Sequence, residues 1–92
     1  MDVVNAIAKV RFNSARPQRV QLTKCNGAAC DLLCLEPEQE LSATGPCGYY
    51  VIAGHGEIRA GGSRQNVEMG HFIVFEDDEA HALVNASEQR LI

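Results

Sequence analysis

Residues 47–85 read CGYYVIAGHGEIRAGGSRQNVEMGHFIVFEDDEAHALVN. Apolar and polar side chains alternate there in short runs, and glycine ends most of the runs. Alternation with a period of two marks strands that bury one face, and no part of the segment carries the wider spacing of a helix. Gly61-Gly62, between GEIRA (56–60) and SRQNVEM (63–69), accepts positive backbone angles and marks a hairpin turn. Seven of the eight glycines fall between positions 45 and 70, so turn chemistry is concentrated where the strands are shortest.

Working outward, RVQLTKC (19–25) and ACDLLCL (29–35) flank Asn26-Gly27, a second hairpin signal. LEPEQELSATGP (35–46) reads as an irregular, proline-marked connection, and AHALVN (80–85) and QRLI (89–92) as the last strands. Residues 1–18 are an N-terminal arm or edge strand, extended at Arg16-Pro17, and residues 19–92 are the barrel of a single domain. Ninety-two residues enclose a small core, so barrel closure or dimerisation would add stability. The expected class is all-β.

Charge is divided unevenly. Lys9, Arg11, Arg16, Arg19 and Lys24 face only Asp2 in the first 24 residues, and the remainder carries eleven acids against three bases. A nucleic-acid surface would need clustered bases with stacking aromatics. With no Trp and five Phe or Tyr, that class is set aside. No apolar run reaches the ~20 residues of a membrane span. MDVVNAIAKV lacks the basic flank and apolar core of a secretion signal, so a cytoplasmic location is expected. The glycosylation-like triplet Asn85-Ala86-Ser87 is discounted for the same reason. Cys25, Cys30, Cys34 and Cys47 lack the paired knuckles of a structural zinc site, and a reducing cytoplasm disfavours bridges. They are read as thiols. Gly56 to Gly62 fails as a phosphate loop because Gly62 stands where lysine is needed and no helix follows.

With the strands in place, three segments resemble the small single-domain cupins. YYVIAGHGEIRAGG is similar to that family's first conserved region, with Gly54 at the turn and Gly56-Glu57 entering the next strand. MGHFIVFEDDEAHALVN resembles the second, with Gly70 opening a strand, His81 eleven residues later, and Asn85 four beyond it. LEPEQEL resembles the segment leading into the first region. The resemblance covers residues 35–85. It implies an all-β, cupin-like β-barrel or double-stranded β-helix (jelly roll) of antiparallel strands, and a homodimer. Metal-binding cupins take two histidines and a glutamate from the first region and a further ligand from the second. Here Cys47 falls at the glutamate position, and Ser42, Ala43 and Thr44 stand in the place of the histidine pair.

His81 shares strand parity with Leu83 and Asn85, and Cys47 with Tyr49 and Val51. On the resemblance both sets face the lumen, where Cys47, Tyr49, His81 and Asn85 are expected to line a small-molecule pocket. His81 and Cys47 are the candidate metal ligands. A catalytic transition metal usually takes about three protein ligands, and spacing selects neither Glu38 nor Glu40 as the third. The expectation is therefore a small-molecule binding module with a degenerate metal site and no cofactor. The alternatives for the site are a bound divalent transition metal (Fe, Mn, Zn or Ni) and a metal-dependent oxygenase or isomerase acting on a small polar metabolite. A thiol beside an imidazole is also the arrangement of a cysteine nucleophile, while a thiol in an apolar pocket is inert. His55 is read as solvated, His71 as a strand-edge residue, and Glu76-Asp77-Asp78-Glu79 as a solvated acidic turn.

Overall fold

In the computed structural model, which describes residue 1 and residues 3–25 and 27–92, eight strands follow a short 3-10 turn at Ile7–Lys9. They are β1 (Gln18–Cys25), β2 (Ala28–Cys34), β3 (Glu40–Thr44), β4 (Cys47–Tyr50), β5 (His55–Ala60), β6 (Ser63–Glu68), β7 (Phe72–Phe75) and β8 (Ala80–Val84). One sheet has the order β3-β8-β5-β6, and β1-β2 and β4-β7 form two-stranded sheets. Every pairing is antiparallel.

The hairpins behave as the turn residues dictate. β5 and β6 pair through to Ala60↔Ser63, with Gly61 and Gly62 both at positive φ. β1 and β2 pair through to Cys25↔Ala28, with Gly27 also at positive φ, while Asn26 lies outside the described residues. Gly54 combines a positive φ with tight packing: a side chain there would meet the backbone carbonyl of Arg90. That contact brings the end of the chain against the β4–β5 turn.

Two expectations are corrected. The connection predicted across residues 35–46 contains a strand, because Glu40, Ser42 and Thr44 alternate with Leu41 and Ala43 and pair along β8 from Glu40↔Val84 to Thr44↔Ala80. The proline-rich flanks hid it. Conversely, QRLI does not form a full strand; it contributes the single bridge Leu35↔Leu91. Of the N-terminal segment, Ile7–Lys9 is a 3-10 turn and not an edge strand.

The core lies between the four-stranded sheet and the β4-β7 pair. Ile58, Val67 and Leu83 come from the former, Val51 follows β4, and Leu35 and Leu91 close one end; Leu33, Ile73 and Phe75 pack against them. On β4 and β7 the alternation is visible in single residues: Cys47, Tyr49, Ile73 and Phe75 turn inward, whereas Tyr50, Phe72 and Val74 are exposed. The inward row pairs Cys47 with Phe75 and Tyr49 with Ile73 across the two strands. β8 sits between β3 and β5 and places His81 opposite Ala43 on one side and Ala60 on the other.

Candidate functional site

His81 is 5% exposed and sits on the inward face of β8, two residues after the acidic turn. Its Nδ1 lies 2.9 Å from the Glu79 carbonyl oxygen. A carbonyl only accepts, so in the neutral ring Nδ1 carries the proton and the Nε2 lone pair points into the lumen. The Tyr49 hydroxyl lies 2.7 Å from Nε2 and donates to it, and the Cys47 Sγ lies 3.8 Å from the same nitrogen. Three of the four residues picked out by strand parity therefore converge on one atom.

An aromatic wall fixes the imidazole. Phe75 stacks on His81 with ring centroids 3.9 Å apart and planes 5° from parallel, and Tyr49 meets the His81 ring edge-on. Phe75 was not among the candidates. The signal lay in its parity with Ile73 in HFIVF, but only the Cys47↔Phe75 register shows that this parity delivers it to His81.

Burial, reinforced by the adjacent Cys47, pushes the Tyr49 hydroxyl up from its ordinary value of 10.0 to about 12, while Arg19 opposes the shift. Tyr49 is thus a phenol, not a phenolate, at neutral pH.

Beside Cys47 and Tyr49 opens a pocket of about 170 Å³, whose lining includes Arg19, Asp31, Ala43 and Thr44. Arg19 and Asp31 form an ion pair of 3.1 Å at its edge, with Arg19 half exposed. Exposed pairs contribute little to stability and separate readily, so this one can re-partner with a polar ligand. The site offers a thiol, a phenol and a guanidinium–carboxylate pair around a small polar opening, with the imidazole behind them.

Few metal donors surround His81 Nε2. The only inward histidine lone pair accepts from Tyr49, the phenol keeps its proton, and Cys47 supplies one further donor. Glu38 and Glu40 are exposed, and Glu40 lies on the outward face of β3. Among the described residues no three His, Cys, Asp or Glu side chains gather to hold an ion, whereas about three are usual. Cys30 is an exposed thiol and Cys34 a buried one, both free; the side chain of Cys25 lies outside the description. Glu76, Asp77, Asp78 and Glu79 are all exposed.

Asn85 is not brought to this group. It is fully buried, and its Nδ2 donates to the carbonyls of Leu35 (3.0 Å) and Gln89 (2.7 Å). Its Oδ1 accepts from the Ser87 amide and hydroxyl. Parity set its face correctly, but at the end of the strand that face meets backbone, not the pocket. His55 and His71 are exposed at the opposite turn, where His71 Nδ1 accepts from the Glu68 amide.

No family model matches the chain, and no curated protein matches it in sequence. Solved structures do match it. An uncharacterized conserved protein with a double-stranded β-helix domain from Klebsiella pneumoniae superposes with a TM-score of 0.87 at 21% identity, over 99% of this chain and 84% of that one. A cupin superfamily protein from Desulfitobacterium hafniense gives 0.78 at 9% identity, over 99% and 85%. A Cupin 2 conserved barrel domain protein from Salinispora arenicola gives 0.69 at 18%, over 99% and 82%. The fold is therefore that of the cupins and double-stranded β-helices, as expected from residues 35–85.

Two outcomes follow. Asn85→Ala removes a fully buried amide that donates to the Leu35 and Gln89 carbonyls and accepts from Ser87, and is expected to cost about 1–3 kcal/mol, read as a fall in Tm. Between pH 10.0 and about 12 the unfolded chain releases a phenolic proton that folded Tyr49 retains. Stability present below that window is then lost as pH rises through it. In a Tyr50→Phe background, absorbance titration should place the one remaining tyrosine near the upper limit in folded protein and near the lower one in denaturant.

Proposed function

We propose that the chain is a small cupin serving as a binding module for a small polar molecule, with a lumen whose metal site is degenerate. The observation that carries this reading is the 2.7 Å contact of the Tyr49 hydroxyl with His81 Nε2. In that arrangement the imidazole orients a phenol instead of an ion, and the phenol, the Cys47 thiol and the Arg19–Asp31 pair form the recognition surface. The opening of about 170 Å³ is smaller than the several hundred Å³ usual for drug-sized ligands, which favours a compact metabolite. Ala43 opposite His81, with Ser42 and Thr44 beside it on β3, supports the loss of the usual histidine pair.

The module is further proposed to act as a cytoplasmic homodimer. Among the described residues no helix is long and apolar enough to cross a membrane. Support for pairing comes from the outward face of β4-β7, where Tyr50, Phe72 and Val74 are 59%, 65% and 59% exposed. Tyr50 and Phe72 are cross-strand partners with rings 6.4 Å apart, so the apolar surface is continuous.

Thermal-shift screening against small polar metabolites is expected to find a ligand whose stabilisation approaches ~2.7 kcal/mol at a hundredfold excess over Kd. Tyr49→Phe should weaken that binding at least tenfold while leaving the fold intact. Stoichiometric transition metal in protein purified without chelators, lost on His81→Ala, would instead identify a metal-dependent enzyme. Sedimentation velocity is expected to show a dimer that Phe72→Lys dissociates, and a monomeric parent protein would sink the pairing.

A further inference from the structure

Cys47 begins β4 and lines the narrow opening of the lumen, half-buried. Its Sγ lies 3.8 Å from His81 Nε2, within reach of a thiol hydrogen bond. That imidazole is 5% exposed and is itself oriented: Nδ1 donates to the Glu79 carbonyl oxygen at 2.9 Å, and Phe75 stacks on the ring. The Cys47↔Phe75 pairing of β4 with β7 keeps the thiol and the stacked ring together. A thiol, a base aimed at it and a group that fixes the base are the parts of an activated nucleophile.

Nε2 has a single lone pair, and two hydrogens compete for it. The Tyr49 hydroxyl, 2.7 Å away, holds it in the resting site. A hydroxyl hydrogen turns about its C–O bond, so a carbonyl oxygen arriving beside Tyr49 can accept from it and leave Nε2 free for the Cys47 proton. Tyr49 suits this exchange because burial keeps it a phenol at neutral pH. One ligand thereby gains a donor for its oxygen and a thiolate for its carbon.

We propose that Cys47 is a nucleophile that adds reversibly to a small polar aldehyde, with His81 as its base and Tyr49 as the donor to the aldehyde oxygen. Nε2 takes the Sγ proton, a sulfur lone pair forms a C–S bond to the carbonyl carbon, and the C=O π pair moves onto oxygen. That oxygen takes the Tyr49 proton, and Tyr49 regains one from Nε2. The product is a hemithioacetal, with no atom, electron or leaving group lost, and His81 and Tyr49 end as they began. An aldehyde carbon carries a hydrogen in place of a second substituent, which suits the narrow opening. The inference rests on the reading of the lumen as a site for a small polar molecule and names the class of that molecule.

Cys30 and Cys34 provide controls within the chain, the one exposed and the other fully buried. After limited labelling with iodoacetamide and cleavage at glutamate, residues 41–57 carry Cys47 alone and residues 1–36 the other three thiols, which fragmentation resolves. Cys47 is expected to label at least tenfold faster than Cys30 although it is less exposed. His81→Gln should abolish that advantage while Cys34 stays unlabelled, reporting an intact fold. Millimolar glycolaldehyde should slow Cys47 labelling at least tenfold, reversibly on dialysis, with less than a twofold effect on Cys30. Tyr49→Phe frees Nε2 but removes the donor, so it should speed labelling at least threefold and yet weaken glycolaldehyde protection at least tenfold; a merely structural tyrosine would not split the two. Cys47 labelling no faster than Cys30, an unchanged rate in His81→Gln with Cys34 still protected, or absence of glycolaldehyde protection would each overturn the inference. Glycolaldehyde that raises the Tm of Cys47→Ser as much as that of the parent would overturn it too, while keeping the binding module.

Discussion

A buried amide side chain has to satisfy both of its ends, and Asn85 does so by tying three separate parts of the chain together. Its side chain reaches the Leu35 and Gln89 carbonyls and receives Ser87, while its backbone pairs with Glu38 and Gln39. The end of β8, the entry to β3 and the terminal segment are thereby fixed relative to one another. The register of β8 against β3 and β5 then places His81 opposite Ala43 and Ala60. The position of the imidazole depends on a residue that never touches the pocket.

From that register the lumen chemistry follows by proximity. His81 is held through Nδ1 by a backbone carbonyl and from the side by Phe75. Such a ring is a rigid acceptor. Tyr49 occupies it, burial keeps the phenol protonated, and Cys47 completes the group. Among the described residues, the ion pair near this site, Arg19–Asp31, lies at the rim of the opening.

Much of this was legible in the sequence because period-two alternation reports which face a residue takes. Cys47, Tyr49 and His81 were located by parity, and the glycine hairpins by their backbone requirements. Parity does not report what lies opposite. Phe75 needed the β4–β7 register before it could be set against His81, and Asn85 took the expected face but met carbonyls instead of the pocket. β3 was hidden because an outer strand exposing Glu40, Ser42 and Thr44 lacks the apolar density that marks a central one. QRLI looked like a strand on composition, whereas strand formation needs paired backbone along its length and, of these four residues, Leu91 and Ile92 have it.

The Glu79 carbonyl accepts from both His81 Nδ1 and the Gly45 amide. The acidic turn therefore contacts the site through its main chain, and the exposed carboxylates of residues 76–79 play no part in that contact. For evolutionary drift the consequence is asymmetric. Side chains in the turn can be exchanged without removing that acceptor, whereas a change in the main-chain path at Glu79 would take the carbonyl away from the imidazole.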